Sequence, residues 1–138
     1  MAEFEFPIRI YWEDTDAGGI VFYANYLKFF ERARTEWLRA RGVQQQQLRE
    51  QTGGMFVVSE CSVQYLRAAR LDDELVITAR LEEAGRASLA LTQQAFVQTP
   101  QGQRGALLSQ ARIRIGRVDA TRLAPARIPS SLIERLTS

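Results

Sequence analysis

Apolar positions set the frame of this chain. Between Asn25 and Arg41, Tyr26, Phe30, Ala33, Trp37 and Ala40 recur at intervals of four, three, four and three residues. That spacing gathers side chains into one stripe of an α-helix. Glu31 with Arg34, and Arg32 with Glu36, can pair on the opposite face, and Gly42 suits the position just past the helix end. After the helix the pattern alternates, as half-buried strands do. In a strand from Met55 to Tyr65 one face would carry Met55, Val57, Cys61 and Val63. Leu75, Ile77, Ala79 and Leu81 form a second run, and Leu89, Leu91, Ala95 and Val97 a third. Leu107, Ala111, Ile113 and Ile115 form a fourth, with Gln110, Arg112 and Arg114 outward. Gly85 and Pro100-Gln101-Gly102 mark reversals between these runs. Ahead of the helix, Pro7 to Trp12 reads as a first strand. Gln44 to Gln47 reads as a solvated turn, and Pro129 opens a terminal helix from Ser130 to Leu136.

The predicted order is strand, long helix, then four strands with hairpin-like connections. One helix buries its stripe only by lying on the concave face of that antiparallel sheet, so the fold class is α+β, a sheet wrapped around one central helix. The chain has 138 residues, which is one domain, 1–138, large enough to close a core. No repeat or linker interrupts it.

Composition then narrows the chemistry. Hydrophobic residues at 46% and charged residues at 25% are those of a globular protein, not a disordered one. A net charge of +2 and the lack of a basic stripe interleaved with aromatics argue against nucleic acid as a partner. There is no His, which excludes every His-dependent triad and His-ligated metal site. Cys61 is the only cysteine, which excludes an internal disulfide and a Cys-rich zinc site. Neither a metal nor a cofactor is expected. Catalysis has to rest on carboxylates, hydroxyls, the single lysine Lys28 or backbone dipoles. Met1 to Phe6 carries acids where a secretory signal needs bases, and no run approaches the roughly 20 apolar residues of a membrane span. A cytoplasmic location is expected, with peripheral membrane contact left open.

Glu13, Asp14 and Asp16 crowd into four residues, beside Gly18 and Gly19 and just ahead of the long helix. A helix start offers unpaired N–H groups and roughly half a positive charge. Those donors can polarise a carbonyl and hold the oxyanion formed on attack. A nearby carboxylate can attack that carbonyl or deprotonate a water that does. The glycines let backbone approach a ligand closely, which makes Gly19 and, at the helix start, Asn25 candidates for substrate contact. Together these parts suit hydrolysis of an activated acyl group, for which a thioester is apt because its thiolate leaves without metal assistance. The same residues also suit plain structure: the acids and Asn25 as helix caps, Tyr23 and Tyr26 as packing.

The run from Tyr11-Trp12-Glu13-Asp14-Thr15-Asp16-Ala17-Gly18-Gly19 through Tyr23-Ala24-Asn25-Tyr26, continuing in Phe29 to Glu36, resembles the signature of the 4-hydroxybenzoyl-CoA thioesterase-like hotdog enzymes. Within that group it is most similar to the acyl-CoA thioesterases associated with the Tol–Pal envelope system. Ala69-Arg70-Leu71-Asp72-Asp73, Gly85-Arg86-Ala87-Ser88-Leu89 and the tail from Pro125 agree. The resemblance implies a hotdog fold and acyl-CoA hydrolysis, with acyl carrier protein as an alternative carrier. It places the catalytic aspartate at Asp16 and the carbonyl-polarising backbone N–H at Tyr23. Many Tol–Pal-associated members have His where Tyr23 stands, whereas the aromatic-acyl branch often has Tyr. Arg67, Arg70 and Arg86, near strand ends in the matching segments, are candidates to bind the CoA phosphates. A homotetramer built from dimers is implied, with sites between protomers, and an exposed convex sheet face carrying Ala and Leu would fit dimer-on-dimer packing. The alternatives are a non-catalytic acyl-CoA-binding hotdog module, whose mark would be loss of the acid at position 16, and a hotdog dehydratase, which typically needs a His.

Overall fold

Five strands and one long helix carry the architecture of residues 3–138 in a computed structural model. In chain order they are β1 (Phe4–Arg9), α1 (Asn25–Ala40), α2 (Gln45–Thr52), β2 (Gly54–Tyr65), β3 (Glu74–Ala84), β4 (Ser88–Gln98), β5 (Arg104–Asp119) and α3 (Ser130–Thr137). The strands form one antiparallel sheet in the order β1-β3-β4-β5-β2, which leaves β1 and β2 as edges. Helix α1 buries Phe29, Phe30, Ala33 and Trp37 in the same core as Leu75, Ile77 and Ala79 of β3 and Leu89 and Leu91 of β4. Each large side chain so buried contributes on the order of 1.5–3 kcal/mol. This is the hotdog arrangement that the apolar pattern predicts.

Several local expectations shift. The first strand begins at Phe4, and Trp12 lies instead in a 3-10 turn, Trp12–Asp14. Ala40 is exposed, and Leu38 takes its place in the core. The Glu31–Arg34 and Arg32–Glu36 pairs do not form. Glu36 pairs with Arg39, Glu31 accepts from the Thr35 hydroxyl at 3.2 Å, and Arg34 turns beneath the helix. The glutamine run opens α2 rather than a solvated turn, because Gln is a fair helix former and Leu48 packs against the core. Gly42 (φ +81°) and Gly53 (φ +71°) end the two helices in the left-handed region that favours glycine.

Of the register shifts in the sheet, two move residues expected to face inward. In β2, Val58 pairs with Ile115 and Glu60 with Arg114, so Ser59 is an extra residue. Cys61, Val63 and Tyr65 therefore share the inner face with Phe56 and Val58, while Met55 and Val57 turn outward. In β5 the extra residue is Leu108, since Ala95 pairs with Ser109 and Phe96 with Leu107. Leu108 is buried in place of Leu107, and its carbonyl accepts the N–H groups of Leu66 and Arg67.

The convex face is polar at its centre, and Ala90 and Leu107 also turn toward it. Ser62, Gln64, Arg80, Thr92, Gln94, Gln110 and Arg112 share it, and Arg80–Glu82 and Arg114–Glu83 pair at 3.6 and 3.5 Å.

Behind α2, the buried Arg117 guanidinium donates to Thr52 Oγ1 at 2.8 Å and sits where a side chain on Gly54 would go. A Cβ there would lie 2.4 Å from Arg117 Nη2. Gly54→Ala is therefore expected to destabilise the fold by about 1–3 kcal/mol, read as a lowered denaturation midpoint.

Candidate active site

The acidic segment is built from short-range bonds that engage Asp14 and one oxygen of Asp16 and leave Glu13 to solvent. Asp14 is buried, and its Oδ2 accepts the Tyr11 N–H at 2.8 Å, closing the 3-10 turn. Its carbonyl accepts twice, from the Phe22 N–H at 3.1 Å and from Asn25 Nδ2 at 2.8 Å. Two residues on, the chain reverses: Gly19 N–H donates to the Asp16 carbonyl at 3.1 Å, and Gly18 N–H to Asp16 Oδ1 at 2.8 Å. Gly19 has φ +79°, which favours glycine, and a Cβ on Gly18 would lie 3.2 Å from Asp16 Oδ1, close enough to press on the carboxylate. The turn is anchored to the segment before β3, where Val21 N–H meets the Ala69 carbonyl at 2.9 Å and Ile20 bridges to Arg70. Asp16 is exposed, and among the described residues its Oδ2 accepts no hydrogen bond.

Helix α1 begins without a side-chain cap, its cap residue being Ala24. Neither the acids nor Asn25 cap it. Asp14 serves the preceding turn, and the Asn25 amide, expected as a cap or a substrate contact, is engaged by Asp14. Asn25 N–H donates to the Phe22 carbonyl at 2.9 Å and Tyr26 N–H to the Tyr23 carbonyl at 3.3 Å. Among the described residues the N–H groups of Tyr23 and Ala24 have no acceptor. They add to the positive end of the helix.

An aromatic group surrounds this helix start. The Tyr23 ring, 60% exposed, meets Phe22 at 4.9 Å and the edge of Tyr65 at 5.4 Å between centroids, and Tyr65 meets Tyr26 at 5.9 Å. The Tyr26 hydroxyl accepts the Ala69 N–H at 3.1 Å. Burial pushes the Tyr26 phenol above its ordinary pKa against the opposing pull of that N–H, so it stays neutral. Tyr65 is the neighbour that sequence reasoning missed. The signal was an aromatic ending β2, legible as inward only once the Ser59 bulge is counted.

The three arginines do not gather. Arg67 and Arg70 flank Ala69, beside the Asp16 turn, while Arg86 lies in the β3–β4 hairpin with its carbonyl accepting the Ile128 N–H at 2.7 Å. The length of β3, about 30 Å at strand rise, separates Arg86 from Asp16 within one copy. All three are exposed, and none forms an ion pair among the described residues.

The arrangement offers an unencumbered carboxylate beside free backbone donors, which are the parts needed to hydrolyse an acyl group. The sequence profile of the thioesterase-like superfamily matches residues 10–136. The chain belongs to the thioesterase-like superfamily. Among its relatives in that superfamily, the acyl-CoA thioesterase YbgC of Haemophilus influenzae is 40% identical over 94% of this chain and 90% of its own length. The acyl-CoA thioester hydrolase YbgC of Escherichia coli O6:H1 is 38% identical over 94% and 92%. The structure of 4-hydroxybenzoyl-CoA thioesterase from Pseudomonas sp. strain CBS-3 superimposes with a TM-score of 0.87 at 25% identity, covering 96% of this chain and 98% of that one. The two chains thus share their fold over nearly their whole length.

Proposed function

We propose that this protein is an acyl-CoA thioester hydrolase in which Asp16 attacks the thioester carbonyl or deprotonates the water that does. The observation that carries this reading is the Asp16 carboxylate, held by Gly18 yet free at Oδ2, beside a helix start whose Tyr23 N–H lacks an acceptor. In the general-base form, Asp16 takes a proton from water as the hydroxyl oxygen bonds to the carbonyl carbon. The Tyr23 N–H holds the resulting oxyanion, the C–S bond breaks, and the thiolate leaves with the proton returned from Asp16. The YbgC relatives are named for the same reaction.

The site is an open surface in one copy, since Asp16, Tyr23 and Tyr65 are all exposed. Beside it runs β2, a 12-residue edge strand with Val57, Val58 and Tyr65 exposed. Native proteins cover or blunt such edges, and pairing with a second copy would cover this one and wall the site. A homotetramer then joins two such dimers, with the convex face, which carries Ala90 and Leu107 beside its polar centre, as the surface left for that contact. Arg67 and Arg70 serve the phosphates of CoA, or the phosphopantetheine of an acyl carrier protein. Arg86 reaches a ligand only from another copy. No helix among the described residues is long and apolar enough to cross a membrane.

Free-thiol release from a panel of acyl-CoAs and acyl carrier proteins tests the reaction. Turnover well above spontaneous hydrolysis on at least one is expected, whereas tight binding without turnover would favour the non-catalytic module. Sedimentation of a stable, fully active monomer would overturn the shared site. Arg67→Ala and Arg70→Ala are expected to raise KM several-fold at low salt with little change in kcat, as loss of an exposed phosphate contact should.

A further inference from the structure

One charged group near the core has no use in the catalytic reading above. Gln93 lies on the inner face of β4 with no solvent exposure. Its Nε2 donates to the Phe30 carbonyl at 2.9 Å and to the Thr78 carbonyl at 3.1 Å, and its Oε1 accepts Arg34 Nη1 at 3.0 Å. Two carbonyls facing Nε2 fix the amide orientation, so Oε1 is committed to the guanidinium. Arg34 has five N–H donors and forms no ion pair among the described residues. Burial pushes its pKa down, partly offset by Glu31 at longer range, and the Cys61 thiol of β2 stands nearby. Arg34 is half-buried, and a cation drawn onto a buried amide without a counter-charge gives up part of its hydration. Packing alone would be served as well by an apolar side chain.

In one copy the exposed Leu27, Tyr65 and Cys61 leave a groove between α1 and the inner face of β2. Tyr23, Leu27 and Arg34 fall on one stripe of the helix. Facing them on the inner side of β2 are Tyr65, Val63 and Cys61, whose cross-strand partners Ser109, Ala111 and Ile113 are buried. Tyr65 and Cys61 nevertheless remain exposed, so this inner face lacks a cover. One end of the groove is the Tyr23–Tyr65 contact at the candidate site, and the other is Arg34.

We propose that Arg34, braced by Gln93, is a specificity-determining residue that binds a carboxylate at the far end of the acyl chain. The proposal rests on the thioesterase reading, which puts the thioester carbonyl at the Tyr23 N–H. Arg34 lies nine residues into α1, about 14 Å along the axis, and helical side chains lean a few Å back toward the N-terminus. The span left is about 10 Å, which an extended acyl chain of roughly eight carbons fills, at a little over 1 Å per carbon. The guanidinium fork suits a carboxylate, and a plain hydrocarbon chain of that length would leave the cation unpaired.

The test compares kcat/KM for octanedioyl-CoA and octanoyl-CoA, with shorter dicarboxylic acyl-CoAs as the length series. Wild-type enzyme is expected to favour octanedioyl-CoA by about tenfold or more, the scale of one hydrogen bond to a charged group. In Arg34→Met that ratio should collapse toward one, and Arg34→Lys should restore part of it. A wild-type ratio near one overturns the inference even if Arg34→Met does not fold. Dissociation of the oligomer in Arg34→Met, with the ratio unchanged, also overturns it, because the counter-charge then comes from a second copy. Asp16→Asn separates the two readings: loss of both substrates keeps the hydrolase reading whatever the ratio, and undiminished turnover removes that reading itself.

Discussion

Replacing Asp16 with Asn should lower kcat a hundredfold or more while leaving the thermal midpoint and acyl-CoA binding close to wild type. Asn keeps the size of the side chain and can still accept the Gly18 N–H through Oδ1, so the turn survives. What it loses is the charge and basicity at the oxygen that no other group engages, and base contributions alone run to about 10²–10⁴. Glu13→Gln should be mild because Glu13 is exposed. Asp14→Asn should spare turnover relative to Asp16→Asn, because the buried Asp14 serves the Tyr11 N–H. Turnover, circular dichroism and thermal midpoint for the three variants decide the matter. Wild-type turnover in Asp16→Asn would remove the catalytic assignment.

At position 23 a pair of substitutions should part company. Tyr23→Phe keeps the ring and the N–H and removes a hydroxyl that makes no hydrogen bond among the described residues, so it is expected to cost little activity. Tyr23→Pro removes the N–H. The position tolerates proline in principle, since Tyr23 is the second residue of the turn closed by Asn25 N–H and the Phe22 carbonyl, a place where proline is favoured. Loss of one oxyanion donor typically costs about 10²–10³ in kcat, and that loss is expected for the proline variant with KM changed much less. The reverse order, a large loss in Tyr23→Phe, would make the phenol itself the group that acts.

The fold was legible because its strongest signal was also its longest. Tyr26, Phe30, Ala33 and Trp37 sit on the buried side of α1 as their spacing requires, and Leu75, Ile77, Ala79 and Leu81 all face inward on β3. Both phase errors occurred at bulges, since an alternating pattern carries no mark of an extra residue at Ser59 or Leu108. Helix α2 was missed because Leu48 is its only large apolar residue, too little for periodicity to register. Of the candidate site, the Asp16 turn could be read from its glycines, since Gly19 requires a positive φ. The Asn25–Asp14 bond and the Tyr23–Tyr65 contact could not, because each joins segments whose approach is set by tertiary packing. Arg34 looked like a surface ion-pair partner of Glu31, and only the buried Gln93, 59 residues away in the chain, turns it beneath the helix.

Ser59 itself is exposed and makes one long contact, from its hydroxyl to the Arg114 carbonyl at 3.3 Å. Its importance lies in being counted. Pairing it into a regular ladder, instead of leaving it out as a bulge, would leave composition, charge and hydropathy untouched, yet it would exchange Cys61, Val63 and Tyr65 for Ser62 and Gln64 along the groove beside α1. The identity of that surface is therefore written in how the strand is paired rather than in its letters. A homologue with one residue fewer between Val58 and Cys61 would need no bulge to present the same thiol and aromatic ring.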